Sequence, residues 1–185
     1  MLRGSLRTCS GHLHMLVGCV AVVVRRSSDN EGRTMNAIDV LKKDHKEIKS
    51  YFREFEKAGD DAYDAKGRAA QKAFMELINH TKCEEDIFYP AVKSAAEKDG
   101  KELVLEAVEE HHQADSLIRQ LQTLSPRDES YEAKFKVLIE SVEHHIEEEE
   151  NELFPEAEEL LGDELDQLGK RITQMKDGLK QANAA

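Results

Sequence analysis

The sequence predicts an all-α fold, an antiparallel four-helix bundle with one additional C-terminal helix, and three observations lead there. From Met35 onward Ala, Leu, Glu and Lys dominate, while the whole chain holds only three prolines and no tryptophan, a composition that favours helices over strands. Apolar residues after Met35 recur at intervals of three and four, the period of a helix with one buried face. A segment is also built twice: "NHTKCEEDIFYP" (79–90) returns 65 residues later within "EHHIEEEENELFP" (143–155). Counted from His80 or from His145, glutamates stand at +4 and +5, bulky residues at +8 and +9, and proline at +10.

Helix one carries Ile38, Leu41, Ile48, Phe52 and Phe55 on one stripe, with His45 in the gap, and "KAGDD" ends it. A second segment from about Ala65 presents Phe74, Leu77, Ile78, Ile87 and Phe88, with His80 and Glu84 on or beside that face. Pro90 removes a backbone donor and is expected to bend or interrupt this helix near its end. Asp99-Gly100 should close the first hairpin. The third segment begins near Lys101, with Val104, Ala107, Val108, Ala114, Leu117, Ile118 and Leu121 as its stripe and His111 within it. After the loop "SPRDES" (125–130), a fourth segment carries Phe135, Leu138, Ile139, Val142, Ile146 and Leu153, with His145 and Glu149 among them. Two hairpins of this kind each leave an apolar face uncovered, and pairing them makes the bundle. Residues 164–182 read as one more amphipathic helix, which either packs on the bundle's end or joins two copies, so a monomer or a homodimer is expected.

With 185 residues the chain has room for one ordinary domain. We place the bundle at 35–160 and the C-terminal helix at 161–185. Residues 1–34 differ in every respect. They carry five arginines against Asp29 and Glu31, a charge of +3 that leaves −15 for the remainder, and one apolar run, "MLVGCVAVVV" (15–24). Ten apolar residues are too few to span a bilayer, and no small-residue cleavage site follows them. We read 1–34 as a basic extension, disordered or upstream of the native product, with a targeting segment as the alternative. The acidic body repels phosphate backbones and anionic membrane surfaces, so neither nucleic acid nor membrane is an expected partner. Cys9, Cys19 and Cys83 form no disulfide framework and no CxxC pair, which fits a reducing, cytoplasmic setting. Asn79-His80-Thr81 matches the N-glycosylation pattern, but on an inward helix face where we expect no use of it.

The repeat points to metal. Residues four apart lie on one side of a helix, so His80 with Glu84 and His145 with Glu149 each offer an imidazole and a carboxylate to one neighbourhood. Four histidines and two glutamates aimed into an apolar bundle are costly unless coordination satisfies their charge and lone pairs. Imidazole and carboxylate without thiolate suit iron, manganese or zinc, and two bridging carboxylates would hold a pair of ions. A single His-x3-Glu is usually a surface pair; recurrence with matched flanks separates this chain from that reading. Glu147, Glu148 and Asn151 read as a solvated acidic face. Glu85 and Glu150 are lesser candidates for extra ligands, as are His112 and His144, which read rather as neighbours of the site. The aromatics before each proline read as core, some walling the pocket. No GxSxG, P-loop or dinucleotide fingerprint points to other chemistry.

At "DHKEIKSYF", "NHTKCEEDIFYP", "EEHHQADSLI" and "HHIEEEENELFP" the chain resembles the hemerythrin family, in particular its HHE cation-binding branch, over roughly residues 36–160. The resemblance implies a bundle holding two non-haem, carboxylate-bridged iron ions, with His45, His80, Glu84, His111, His145 and Glu149 as ligands. It implies dioxygen, or another small diatomic or peroxide, as the partner. The oxygen-carrying hemerythrins have His-x3-His on helix three and a final Asp five residues after a His; here Asp115 and Glu149 (+4) stand instead, implying a site richer in carboxylate. Binding or sensing of dioxygen, or handling of iron and oxidative stress, is therefore expected. The alternative is a di-iron enzyme that reduces oxygen, peroxide or nitric oxide.

Overall fold

The computed structural model describes residues 35–184, and every regular element among them is helical. The expectations for residues 1–34 lie outside the described residues. α1 is Ala37–Lys57, opened by Asn36, whose side-chain oxygen accepts the Asp39 amide at 2.9 Å. α2 covers residues 63–95 and α4 residues 131–161, with α3 at Lys98–Gln122 and α5 at Glu164–Ala184. The first four form the antiparallel bundle.

α2 and α4 share an internal irregularity. Each is an α-helix (Tyr63–Cys83; Tyr131–Glu148), one π turn (Glu84–Phe88; Glu149–Leu153) and a final α-helical stretch (Tyr89–Ala95; Phe154–Leu161). The Tyr89 amide reaches back five residues to the Glu84 carbonyl, and the Phe154 amide to that of Glu149. Pro90 does not end α2; the irregularity expected there takes the form of this π turn, whose extra residue relieves the proline ring and the missing donor while the helix runs on. Asp99-Gly100 likewise does not form the hairpin turn. The connection is extended Ala96 with Glu97, and Gly100 sits inside α3, where a Cβ would meet Ala96 and the Glu156 carboxylate from α4. The true stop signal is Gly162, at φ 46°, which ends α4.

The core is divided in two. Phe52, Phe55, Phe74 and Phe135 anchor one apolar cluster, with the Phe55 and Phe135 rings stacked at 4.0 Å. Leu41, Phe88, Phe154 and Val92 anchor the other. Burying each large side chain contributes about 1.5–3 kcal/mol, so either cluster alone outweighs many surface contacts. Between them lies a polar layer. α5 adds Leu165, Leu168 and Ile172 to the second cluster and packs along α1 and α2. It approaches α1 so closely that a Cβ at Gly169 would overlap the backbone of Met35, Asn36 and Ala37.

Backbone atoms cannot swing aside, so Gly169→Ala should destabilise the protein by roughly 1–3 kcal/mol despite the ~1 kcal/mol that alanine adds to a helix. Gly178→Ala, on the same helix with open space around it, should stabilise by up to about 1 kcal/mol. Urea unfolding of both variants checks the pair, and equal effects would contradict the close approach of α5.

Candidate metal centre

The polar layer collects all six residues singled out by the repeat. His45 comes from α1, His80 and Glu84 from α2, His111 from α3, and His145 and Glu149 from α4; each is at most 5 % exposed. The Nε2 atoms of His45 and His80 lie 3.2 Å apart, and those of His111 and His145 3.1 Å apart. Each glutamate reaches both pairs. Glu84 Oε2 is 3.2 Å from His80 Nε2 and 3.4 Å from His111 Nε2. Glu149 Oε2 is 3.2 Å from His45 Nε2 and 3.5 Å from His145 Nε2. Two groups result, His45–His80–Glu84–Glu149 and Glu84–His111–His145, each with its donor atoms close enough to surround one ion.

The outer ring nitrogens are occupied, which aims the inner ones. His45 Nδ1 lies 2.8 Å from Glu150 Oε1, His111 Nδ1 2.9 Å from Glu85 Oε1, and His145 Nδ1 2.8 Å from Glu110 Oε2. Asp44 Oδ2 faces His80 Nδ1 at 3.5 Å, without forming a hydrogen bond. A carboxylate accepting the Nδ1 proton orients the ring and leaves Nε2 as a lone-pair donor, the usual support of a metal-ligating histidine. Glu85 and Glu150 therefore serve the histidines rather than joining the inner groups. His112 and His144 are exposed, pairing with Glu109 and Glu148 on the surface.

The residues present fit a bound cation. Both Glu84 carboxylate oxygens and Glu149 Oε2 are buried without a hydrogen-bond partner, a rare and costly state for a carboxylate. Burial, reinforced by the Glu149 charge, pushes the Glu84 carboxyl well above the ordinary range. Burial pushes Glu149 the same way, but His145 and His45 outweigh it and hold this carboxyl low. Burial and a facing histidine lower the pKa of His80 and of His111, keeping their imidazoles neutral as ligation requires. A cation between these oxygens would supply the partner they lack.

Four contributing residues escaped the sequence reading. Asp44 and Glu110 immediately precede His45 and His111, a parallel present in the sequence but not used there. Tyr89, one of the aromatics expected as core or pocket wall, does more than either: its hydroxyl donates to Glu149 Oε1 at 2.8 Å and lies 3.3 Å from His111 Nε2. The π turn explains this: it adds one residue after Glu84, so position 89 rather than 88 returns to the layer. Phe154, the matching residue, stacks on His45 at 5.7 Å as Tyr89 stacks on His111 at 5.5 Å. Lys176, from α5, contacts Asp44 and Glu76 and has no local signal. Cys83 is buried, and its thiol is pushed up to about 11 by that burial, which makes it inert. An apolar recess walled by Ile48, Leu77, Val142 and Ile146 touches His80, His111 and His145.

Comparison with known proteins places this geometry. The family model described as hemerythrin HHE cation binding domain matches residues 36–157. An uncharacterized hemerythrin-like protein of Schizosaccharomyces pombe is 28 % identical over 126 residues, covering 68 % of this chain and 61 % of its own length. An uncharacterized protein of Mycobacterium tuberculosis is 30 % identical over 142 residues, covering 75 % and 83 % respectively. The crystal structure of a hemerythrin HHE cation binding domain-containing protein from Mycobacterium kansasii matches at TM-score 0.69 with 26 % identity, over 80 % of this chain and 89 % of that one.

Glu84→Gln separates a site residue from a structural one. A carboxyl whose pKa rises on folding contributes stability below its unfolded pKa and loses it as pH rises toward the folded value. The metal-free variant should therefore lack this loss and be at least as stable as the metal-free parent at pH 7, while binding less metal. Thermal unfolding in chelator from pH 5 to 8 reads the first effect and metal analysis the second. A metal-free variant weaker by more than about 1 kcal/mol would make Glu84 a structural group.

Proposed function

The chain belongs to the hemerythrin HHE cation-binding domain family, and on that premise we propose that its buried layer holds two non-haem iron ions. His45 and His80 would hold one ion and His111 and His145 the other, with Glu84 and Glu149 shared between them. The observation that carries this reading is the pair of buried carboxylates, three of whose four oxygens lack a hydrogen-bond partner, each within 3.5 Å of a histidine Nε2 from both pairs. Iron bound in such a set supplies a coordination position open to a small ligand and the electrons to alter it.

The protein then binds or senses dioxygen, or handles iron and oxidative stress, in the cytoplasm. The apolar recess beside three of the histidines supports, of the ligands expected, a small, weakly polar diatomic. Among the described residues no helix is long and apolar enough to cross a membrane. That α5 uses its apolar face inside the chain supports the monomer of the two states expected.

One observation favours the enzymatic alternative, reduction of oxygen, peroxide or nitric oxide. Tyr89 is an O–H donor within the layer, hydrogen-bonded to Glu149 and held protonated by burial and by that neighbour's charge. A proton kept beside the His111/His145 half is what reduction of a bound oxidant would consume. Its counterpart Phe154 has none to give.

The test is metal content per chain with an absorption spectrum, taken after anaerobic reduction and again after exposure to air. About two irons per chain with a visible charge-transfer band are expected, and a band that persists reports binding whereas one that decays reports oxidation. His80→Ala and Glu149→Ala should each remove at least half of the bound iron. The loaded parent should exceed its metal-free form by about 3 kcal/mol for each bound ion at a hundredfold excess over Kd, and each variant should forfeit at least one ion's share. Intact helices with no iron under these conditions would sink the reading.

A further inference from the structure

α5 lies beyond the stretch matched by the family model, yet one of its side chains ends at the edge of the polar layer. Lys176 is 7 % exposed, and its ammonium touches Asp44 Oδ1 and lies 2.7 Å from Glu76 Oε1. The other oxygen of Asp44 is the one that faces His80 Nδ1 at 3.5 Å. The two-fold repeat supplies an internal control. Glu110 precedes His111 as Asp44 precedes His45, and Glu110 accepts the His145 Nδ1 proton at 2.8 Å. Among the described residues no lysine or arginine pairs with Glu110. In one half both histidines thus have a carboxylate on Nδ1, whereas in the other His45 has Glu150 and His80 faces a carboxylate turned toward a buried cation.

Resting on the two-metal reading above, we propose that Lys176 is a positioning residue that makes the two metal positions unequal, drawing Asp44 away from His80 and leaving the His45/His80 position the weaker. A carboxylate hydrogen-bonded to Nδ1 fixes the imidazole and raises the basicity of Nε2. His145 has that support, and His80 has it only at a distance. A fixed ammonium one carboxylate away also opposes a second cation through a poorly screened interior. The chain therefore fills the His111/His145 position first and holds the second ion exchangeably, under the control of a helix outside the bundle.

The test is an anaerobic titration of the metal-free full chain with cobalt(II), followed by its visible absorption. The parent should bind in two separated steps, the weaker of which disappears in His45→Ala. Glu76→Gln combined with Lys176→Met removes one charge of each sign, so the net buried charge is unchanged while Asp44 is freed. It should tighten the weaker step about tenfold and leave the stronger one in place, with Lys176→Arg restoring the parental pattern. A merely structural lysine predicts the opposite sign, a weaker step loosened by the double change, and that result overturns the proposal. A second comparison decides even where the double variant fails to fold. Asp44→Asn should shift the weaker step less than about threefold, whereas Glu110→Gln should loosen the stronger step about tenfold. Equal losses, or two equal steps in the parent, overturn the inequality while leaving the two-metal reading intact; no stoichiometric binding by the parent overturns both.

Discussion

Glu84 and Glu149 sit on facing helices in the middle of a bundle, nearly stripped of water, and apart from the Tyr89 hydroxyl on Glu149 Oε1 their oxygens meet only histidine nitrogens and each other's charge. An unpaired buried carboxylate costs several kcal/mol, and two facing each other cost more unless one is protonated or a cation intervenes. The surrounding architecture answers that constraint. Apolar clusters on either side exclude water from the layer, and carboxylates on the Nδ1 atoms of three histidines turn the Nε2 atoms inward. The fold tolerates a polar slab across its core because the two clusters, each with fully buried phenylalanines, carry the cohesion it lacks.

The π turns are part of the same solution. Both start on a glutamate of the polar layer and both precede a proline, so the irregularity and the candidate ligand positions are one device used twice. Adding a residue after Glu84 and Glu149 lets the next aromatic, Tyr89 or Phe154, close over a histidine of the layer. A regular helix would have put Phe88 and Leu153 there, a larger and a smaller apolar side chain with no hydroxyl available. The symmetry is then broken by chemistry rather than by backbone. Tyr89 brings a proton to one half only, and Lys176 brings a charge to the other, so similar frames hold two unlike environments.

Much of this was legible in the chain itself. Helix periodicity located all five helices, and the His-x3-Glu repeat with its flanks picked out residues that the structure brings into one layer. The misjudged features were local ones that depend on distant atoms. Gly100 looked like a turn residue, but its lack of a Cβ serves a helix crossing near Glu156. Pro90 looked like a bend or a break, but the π turn absorbs it, and no residue near it announces that the helix continues.

What the sequence by itself determined is the set of donors, their grouping by helix and the two-fold repeat, because spacing along one helix is a local property with a fixed period. What only the tertiary structure decided is which carboxylate supports which histidine, that Tyr89 rather than Phe88 reaches the layer, and that Lys176 acts 100 residues from Glu76. Those pairings arise from where helices cross and from a one-residue change in helical phase, and neither leaves a trace in the spacing of the residues concerned.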